Sequence, residues 1–385
     1  MIEDLFSGIP EKVRLKSPLD LPPPLSEPEL ISELEALGRK NIVQKNLLGA
    51  GCYSHFVPSA VKQIVSRSEF YTAYTPYQAE ASQGTLQVIY EYQSLICALT
   101  GMDAANASMY DGATALAEAA FLACRVTGRK KISISSAVHP EYRKVLKTYA
   151  HGAELEIAEI PFDLRSGLTD HGARSFNDSA CFILSQPNFF GCVEQVLSLS
   201  ERIHKDGALF IVNADPISLG LLKPPGEYGA DVAVGEGQAL GNPQNFGGPG
   251  LGIFAVKSDF LRQMPGRLVG RTVDVDGKIG YTLTLQAREQ HIRRERSASN
   301  ICSNEALCAL AACAYLSLMG KNGLKRIAEI CLKNSTRLKK KFGSPFSAPT
   351  FKEFVSFSKE GLLLKDFYPE LPDYSLICAT ELSSI

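Results

Sequence analysis

Strand and helix patterns alternate through the middle of the chain, and this alternation is the strongest constraint on the fold. Short apolar runs typical of buried strands are separated by helical stretches. Strands are predicted at 131–135, 155–160, 180–184, 208–212, 230–234 and 252–256, and helices at 85–101, 139–151 and 196–205. Such an order predicts an α/β fold with a mostly parallel central sheet covered by helices on both faces.

Polar side chains follow three of the predicted strands. His139 comes after the 131–135 strand, Asp215 after the 208–212 strand, and Gln238 after the 230–234 strand. Ligands of parallel sheets bind at the carboxyl ends of the strands. The sequence therefore predicts that the three side chains share one cleft.

The stretch 212–252 resembles the cofactor segment of fold-type I pyridoxal-phosphate transferases and lyases. In that layout an aspartate ends one strand, and a lysine at the end of a later strand holds the cofactor as a Schiff base. This chain has Asp215 but carries Gln238 where the lysine is wanted. A carboxamide cannot form an imine, so the Schiff-base nucleophile is predicted to be missing.

Other parts of the same frame are predicted to be present. By this resemblance Asp215 would hold a pyridine nitrogen and His139 would stack on the ring. Small residues from Ser108 to Thr114 lead into an alanine-rich helix, whose first N–H groups could bind a phosphate. Ser108, Thr114, His139, Asp215 and Gln238 form the predicted vestigial frame. We expect it to be retained for packing, with residual ligand binding as the alternative.

Composition excludes several classes of protein. With 385 residues, 45% hydrophobic and 21% charged, the chain should form a soluble globular protein of more than one domain. A net charge of −1 gives no support for binding to nucleic acid or an anionic membrane. Ten cysteines without a CxxC pair predict reduced thiols in the cytoplasm, and no metal site or disulfide framework. Neither a signal peptide nor an uncharged apolar run of ~18 residues is found.

The domain pattern changes near residue 266. A hairpin with its turn at Asp276-Gly277 is followed by an arginine-rich run, by helices at 304–319 and 323–342, and by short strands. We predict an N-terminal extended arm with helices at 1–65, a large α/β domain at 66–265 and a smaller α+β domain at 266–385.

Four stretches together resemble glycine dehydrogenase (decarboxylating) subunit 1, the alpha subunit of the P-protein of the glycine cleavage system. They are NLLGAGCYSHFVP at 46–58, EFYTAYTPYQAEASQGTLQ at 69–87, LTGMDAANASMYDGATA at 99–115 and LQAREQHIRRERSASNICSN at 285–304. The resemblance runs from the N-terminus to about Thr380. The family continues beyond this point into further helix, so the small domain is expected to be shortened at its end.

The resemblance implies a split enzyme. A homologous catalytic beta subunit, glycine dehydrogenase subunit 2, would carry pyridoxal phosphate on a lysine, with two alpha and two beta chains in a heterotetramer. Aligned on Pro243 and Pro249, that lysine position falls on Gln238, so this chain would bind no cofactor covalently. The family reaction decarboxylates glycine and transfers its aminomethyl group to the lipoyl arm of H-protein. CO2 leaves and the lipoyl disulfide is reduced.

Two other segments are candidates for function: a tyrosine-rich loop, Tyr71–Gln83, and an arginine run at 288–296. The loop fits neither a strand nor a helix period, and its alternatives are a domain contact and a cavity shared with the partner. Its hydroxyls would orient the glycine carboxylate or the lipoyl entrance. The arginines would pair with the beta subunit, with an acidic carrier protein or with internal carboxylates. The loop candidates are Tyr71, Thr72, Tyr74, Thr75 and Tyr77, and the arginines are Arg288, Arg293, Arg294 and Arg296.

Three functions remain open from the sequence. The first is a catalytically necessary subunit without a cofactor. The second is an adaptor that only stabilises the catalytic subunit. The third is a self-sufficient pyridoxal-phosphate lyase that uses another lysine, for which Lys257 after the 252–256 strand is the candidate.

Overall fold

A seven-stranded sheet lies at the centre of the structure, a computed structural model that describes residues 2–42, 44, 46–172, 174–301 and 303–383. The strands are β1 (Ala104–Ala105), β2 (Lys131–Ser135), β3 (Glu156–Ile160), β4 (Ser179–Gln186), β5 (Leu209–Ala214), β6 (Val232–Glu236), β7 (Gly252–Val256), β8 (Leu268–Val273), β9 (Ile279–Thr284), β10 (Glu353–Ser356), β11 (Leu362–Leu363) and β12 (Ser375–Cys378).

The order of the central sheet is β1-β7-β6-β5-β4-β2-β3. Strands β3, β2, β4, β5 and β6 run parallel to their neighbours in this order. Strand β7 is antiparallel to β6, and β1 is antiparallel to β7. The predicted fold class, an α/β architecture with a mostly parallel sheet, is therefore confirmed.

The described residues form the helices α1 (Glu27–Gly38), α2 (Ser59–Val65), α3 (Ser68–Tyr71), α4 (Gln83–Thr100), α5 (Gly112–Thr127), α6 (Pro140–Gly152), α7 (Leu199–Lys205), α8 (Gln290–Arg293) and α9 (Ala306–Phe342). Helices α4, α7 and α9 pack on one face of the central sheet, and α5 and α6 pack on the other. Short 3-10 helices lie at Ile2–Phe6, Glu11–Val13, Ala79–Ala81, Ser218–Gly220, Pro225–Tyr228, Ser258–Gln263, Gln286–Arg288 and Arg294–Arg296.

The core has two layers because successive strand side chains point to opposite faces. In β5, Phe210 and Val212 join the cluster that contains residues of α4, α7 and α9, whereas Leu209 and Ile211 join the cluster with α5 and α6. Phe210, Ile211 and Val212 are fully buried. Each such side chain contributes roughly 1.5–3 kcal/mol through burial, which fixes the register of the strand whose end carries Asp215.

The C-terminal elements include a hairpin, a broken helix and a small sheet. Strands β8 and β9 pair as the predicted hairpin, with Gly277 of the turn at φ +79°. Strands β10, β12 and β11 form an antiparallel three-stranded sheet. Helix α9 is interrupted at Gly320, where φ is +57° and ψ is −174°. Its two halves correspond to the two helices predicted from the sequence.

Helix α9 is also the one helix, among the described residues, that is long and apolar enough to cross a membrane. Half of its most apolar stretch is buried inside the protein, and Ala312 and Leu316 belong to the main core cluster. Its apolar character is therefore explained by packing against the sheet.

The chain forms two compact units, Met1–Asn46 and Leu47–Ile385. In the first unit, helix α1 starts with a capping box, in which the Ser26 N–H donates to Glu29 Oε2 at 2.9 Å. None of the residues of α1 is buried, and its apolar stripe is about half exposed. The domain limits at 65/66 and 265/266 remain predictions.

Candidate functional site

The cleft at the carboxyl ends of β2, β5 and β6 contains the three polar residues predicted for it. His139 begins α6 after β2, Asp215 directly follows β5, and Gln238 lies two residues beyond β6. A pocket of about 60 Å³ is lined by His139, Asp215 and Glu236, and it adjoins a wider cleft of about 280 Å³ that Gln238 also lines. Pockets for cofactor-sized ligands measure roughly 300–1,000 Å³, so the inner pocket is too small for one.

Gln238 is buried, and its side-chain amide connects two segments of the chain. It is 5% exposed, and its Oε1 accepts the Tyr53 N–H at 2.9 Å. Its Nε2 donates to the carbonyl oxygens of Tyr53 at 3.1 Å and Asn242 at 2.7 Å. The amide therefore has partners for both its oxygen and its nitrogen, and it ties the segment around Tyr53 to the end of β6.

Asp215 is paired with a lysine that the sequence did not reveal. Lys352 Nζ lies 2.5 Å from Asp215 Oδ2, and the lysine side chain is 1% exposed. The same ammonium lies 3.3 Å from the centroid of the Tyr53 ring, a cation–π contact. Burial lowers the pKa of Lys352, but the attraction of Asp215 and Glu353 outweighs burial, so the pKa stands above its ordinary value. A protonated amine is not a nucleophile.

Glu353, a buried glutamate next to this pair, binds the segment 50–53 that lines the pocket. Glu353 Oε2 accepts the Tyr53 hydroxyl at 2.7 Å, and its Oε1 accepts the Ala50 N–H at 2.6 Å. Burial raises the pKa of Glu353, although the charge of Lys352 opposes the shift. A Cβ at Gly49 would lie 2.4 Å from Glu353 Oε1, so only glycine allows this close approach of the chain.

Glu236 occupies the N-terminus of helix α5. Its Oε2 accepts the N–H of Gly112, the first residue of α5, at 2.9 Å. Its Oε1 accepts the N–H groups of Gln238 at 2.9 Å and Leu251 at 2.8 Å. Burial raises the pKa of Glu236, and the three N–H groups oppose that rise. The carboxylate lies where the sequence predicted a place for phosphate.

The two hydroxyls predicted for a phosphate cup are engaged elsewhere. Ser108 Oγ accepts the Glu305 N–H at 2.9 Å. Thr114 belongs to a capping box with Asp111, whose Oδ1 accepts the Thr114 N–H at 2.7 Å. Within the described residues, neither side chain lines the two cavities. The vestigial frame thus has its helix start in place, but not these two hydroxyls.

His139 is neutral and fixed in one tautomer. The Glu141 N–H donates to its Nδ1 at 3.1 Å, so Nε2 carries the proton and donates to the Ala50 carbonyl at 2.7 Å. Burial lowers its pKa. Tyr142 stacks on its ring with centroids 4.8 Å apart, and Phe189 meets it edge-on at 4.9 Å. One face of the predicted stacking ring is therefore occupied by Tyr142.

The tyrosine-rich loop lies on the surface and outside these cavities. Tyr71, Tyr74 and Tyr77 are 69%, 79% and 54% exposed. Buried Arg267 anchors the loop, because it donates to Thr75 Oγ1 at 3.2 Å and to the Tyr77 hydroxyl at 2.8 Å. Thr72 Oγ1 donates to the Ser68 carbonyl at 2.7 Å.

The arginine run divides between an internal and an external role. Arg288 points inward and donates to the carbonyls of Met264 and Gly266. Arg293 and Arg296 are exposed and, with Arg125 and Arg262, line a cleft of about 360 Å³. Arg294 is exposed as well.

Lys257, the candidate lysine of a self-sufficient lyase, lies at the amino end of β6, opposite to the end that carries the cleft. Its Nζ is 2.8 Å from Asp231 Oδ1, and Asp231 directly precedes β6. Gln238 lies beyond the opposite end of the same strand, which spans roughly 16 Å at ~3.3 Å per residue.

Four residues of the cleft were missed by sequence reasoning. Glu236 had a local signal, since it follows the predicted 230–234 strand and lies two positions before Gln238. Tyr53, Lys352 and Glu353 had none, because they reach the cleft from segments far apart in the chain.

The sheet order and the polar residues at its carboxyl edge define the fold of fold-type I pyridoxal-phosphate enzymes. A sphingosine-1-phosphate lyase from Burkholderia pseudomallei K96243 has the same fold, with a TM-score of 0.64 and 14% identity over 95% of this chain and 88% of that chain. Mouse CSAD also matches, with a TM-score of 0.67 and 14% identity over 94% of this chain and 86% of that chain.

The profile of the glycine cleavage system P-protein matches residues 1–365. A probable glycine dehydrogenase (decarboxylating) subunit 1 from Desulforamulus reducens is 53% identical, over 98% of this chain and 91% of that protein. Its counterpart from Moorella thermoacetica is also 53% identical, over 99% and 91%. A crystal structure of glycine decarboxylase (P-protein) in inhibitor-bound form has 43% identity and a TM-score of 0.90, over 100% of this chain and 92% of that chain.

The chain belongs to the glycine cleavage system P-protein family. The family predicted from its sequence motifs is confirmed, and so is the enzyme class, which the relatives carry in their names. The side chains in the cleft do not fit a pyridoxal phosphate held as a Schiff base. An amide stands at 238, Lys352 is bound to Asp215, and Glu236 takes the start of α5.

Proposed function

We propose that this chain is the subunit of glycine dehydrogenase (decarboxylating) that holds no cofactor of its own and acts in the cytoplasm with a homologous catalytic subunit. The observation that supports this most directly is Gln238. By the sequence resemblance it takes the position of the Schiff-base lysine, and in the structure it is buried and has hydrogen-bond partners for both ends of its amide. A carboxamide cannot form an imine with the cofactor, so the Schiff base is assigned to the partner subunit.

The need for a partner is supported by the relatives, which are named subunit 1. In this proposal two copies of each subunit assemble as a heterotetramer. The catalytic subunit carries pyridoxal phosphate and decarboxylates glycine, and the aminomethyl group passes to the lipoyl arm of H-protein. This chain contributes surface and positioning to that reaction.

The tyrosine-rich loop is the proposed contribution of this chain to the shared cavity. Exposed tyrosines are typical of protein interfaces, where they bury large areas with little loss of side-chain freedom. Buried Arg267, 3% exposed, fixes the loop through Thr75 and Tyr77, so their hydroxyls are held in place before a partner arrives. Tyr71, Thr72 and Tyr74 complete the proposed surface, which orients the glycine carboxylate or the lipoyl entrance.

An adaptor that only stabilises the catalytic subunit is the second candidate. It is favoured by the same exposed loop, since a surface can bind without taking part in the reaction. A cofactor-dependent lyase acting alone has less support, because Lys257 is bound to Asp231 at the amino end of β6.

A borohydride trap tests the proposal. The purified chain is incubated with pyridoxal phosphate, reduced and weighed by intact mass, alone and with the catalytic subunit. We expect an adduct on the catalytic subunit and none on this chain. A stable adduct on this chain alone would overturn the proposal.

Loop variants then separate the first two functions. If the loop acts in the reaction, Tyr74→Phe and Thr75→Ala leave the complex intact and lower decarboxylation roughly tenfold, the effect of losing about 1.4 kcal/mol of transition-state stabilisation. Tyr149→Phe on α6 removes a hydroxyl far from the loop and serves as the matched control. Unchanged turnover in both loop variants, with the subunit still required, would favour the adaptor.

A further inference from the structure

We propose that Glu236 and Lys352 are built-in replacements for pyridoxal phosphate: the Glu236 carboxylate stands for its phosphate at helix α5, and the Lys352 ammonium stands for its protonated ring nitrogen at Asp215. This inference rests on the proposed function, in which the chain holds no cofactor, and explains how the frame is stabilised by groups of the chain itself.

Helix α5 starts at the phosphate end of the frame. The N-terminus of a helix of 16 residues carries free N–H groups and a partial positive charge, which together attract an anion. Glu236 supplies that anion from the end of β6. Its two oxygens accept three backbone N–H groups, from Gly112, Gln238 and Leu251, at 2.8–2.9 Å. Three convergent N–H groups make an anion cradle, and an internal carboxylate fills it.

Asp215 is the charged group at the ring end of the frame. A carboxylate that is largely buried needs a cation, since an unpaired buried charge is strongly unfavourable. Lys352 provides the cation at 2.5 Å, from a side chain that is 1% exposed. Its backbone has φ +58°, a left-handed conformation that costs a side-chain-bearing residue stability and persists only where the surroundings impose it. Tyr53 packs against the ammonium at 3.3 Å.

The two replacements restore the charge pattern of the ligand. Pyridoxal phosphate presents a positive ring nitrogen to an aspartate and a negative phosphate to a helix start. Here a positive ammonium meets Asp215, and a negative carboxylate meets α5. Tyr142 also stacks on His139, as the pyridine ring would. The frame is thus balanced at both charged ends by groups of the same chain.

Phosphate rescue tests the first end. Thermal unfolding of the full chain is measured in inorganic phosphate and in chloride of equal ionic strength. We expect wild type to gain only the small general stabilisation that phosphate gives to a folded protein relative to chloride. Glu236→Ala should lose several degrees in chloride and regain at least about half of the loss in phosphate, because a ligand of the folded state stabilises it.

Glu194→Ala is the matched control. Glu194 is also buried and accepts the Thr169 N–H at 3.0 Å and the Asn188 Nδ2 at 2.8 Å, but it lies at no helix start. It should lose stability without any rescue by phosphate. Equal recovery in both variants, or none in Glu236→Ala, would overturn the phosphate half of the inference. If Glu236→Ala does not fold, Glu236→Gln is measured in the same way.

Paired substitutions test the second end. Lys352→Met leaves Asp215 without its cation and should lower the unfolding temperature strongly. Adding Asp215→Asn should recover most of that loss, since the charge that needed a partner is then gone. Equal losses in the single and double variants would show that Lys352 is not the counter-ion. Neither failure bears on the borohydride result, which tests the proposed function separately.

Discussion

Tyr53 connects the chain segments that form the cleft. Its backbone exchanges two hydrogen bonds with Gln238, its hydroxyl donates to Glu353, and its ring faces the Lys352 ammonium. Through its backbone and its side chain, Tyr53 thereby connects its own segment with those of Gln238 and of Lys352 and Glu353. Burial and the nearby charge of Glu353 raise the pKa of Tyr53 well above its ordinary value, so the hydroxyl remains a donor at any physiological pH.

His139 should make stability fall when the solution becomes mildly acidic. Burial lowers its pKa below the unfolded value of 6.5, so the unfolded chain binds the proton more readily than the folded one. Its contribution is fully present above pH 6.5 and is lost as the pH falls through the lowered folded pKa. In His139→Asn, the loss of unfolding free energy between pH 7.5 and about 5.5 should be smaller than in wild type.

Urea unfolding at several pH values measures this difference. Asparagine at the N-cap position, directly before α6, can still accept the Glu141 N–H, which limits damage to the helix start. The control is His151→Asn at the exposed end of the same helix. A pH dependence that is the same in wild type and His139→Asn would contradict the prediction.

The sequence revealed those residues of the cleft that follow its own strands. Asp215, Gln238 and His139 could be placed together because the carboxyl ends of parallel strands share an edge. Lys352 and Glu353 could not, since no local pattern links them to positions more than a hundred residues away. Their arrival depends on how the small C-terminal sheet packs, which is a property of the tertiary fold.

At the scale of elements, the break in α9 is the feature with the clearest test. Gly320 has φ +57° and ψ −174°, a region open to glycine alone. A Cβ there would meet no other atom within 4 Å, so Gly320→Ala would introduce backbone strain and nothing else. We expect it to lower the free energy of unfolding by about 1–3 kcal/mol, measured by urea unfolding.

Gly84 in α4 provides the opposite control. It is helical, and a Cβ would likewise meet nothing within 4 Å. Gly84→Ala should therefore stabilise the protein, by roughly 0.5–1 kcal/mol. If both substitutions changed stability in the same direction, the role assigned to the break would be wrong.

Elements with strong periodicity were predicted closely, and irregular segments were not. Strands β2 and β7 have the predicted limits. The tyrosine-rich segment is predicted to be a loop, but its first tyrosine, Tyr71, ends helix α3 (Ser68–Tyr71), and α4 starts at Gln83, two residues before the predicted start at 85. Gln83 Nε2 donates to the carbonyls of Ala79 and Tyr281, a tertiary contact that sets the start of the helix and has no counterpart in local sequence.

At the scale of the whole molecule, positive and negative charges nearly cancel, but they are unevenly distributed over the surface. The net charge is −1, yet Arg125, Arg262, Arg293 and Arg296 line one cleft. A local positive patch steers an acidic partner even when the whole molecule is close to neutral. The arginine cleft is therefore the surface on which we expect an acidic carrier protein to approach.

Replacing Arg262, Arg293 and Arg296 with serine should slow association with H-protein about tenfold at low salt. It should also weaken the dependence of the association rate on ionic strength, because fewer charges take part. Stopped-flow mixing with the assembled enzyme measures both quantities. Lys340→Ser with Lys341→Ser, at the far end of α9, removes two charges elsewhere and should change neither. A salt dependence equal to that of wild type would place the approach on another face.

The pairing of Asp215 with Lys352 also sets an order of events during synthesis. The aspartate leaves the ribosome 137 residues before the lysine (352 − 215). At ~5–20 residues per second, that interval lasts roughly 7–27 s. Throughout it, the nascent large domain can form its sheet while the acid at the end of β5 still lacks its cation. The ion pair of the cleft can therefore form only after translation has passed Lys352, which directly precedes β10.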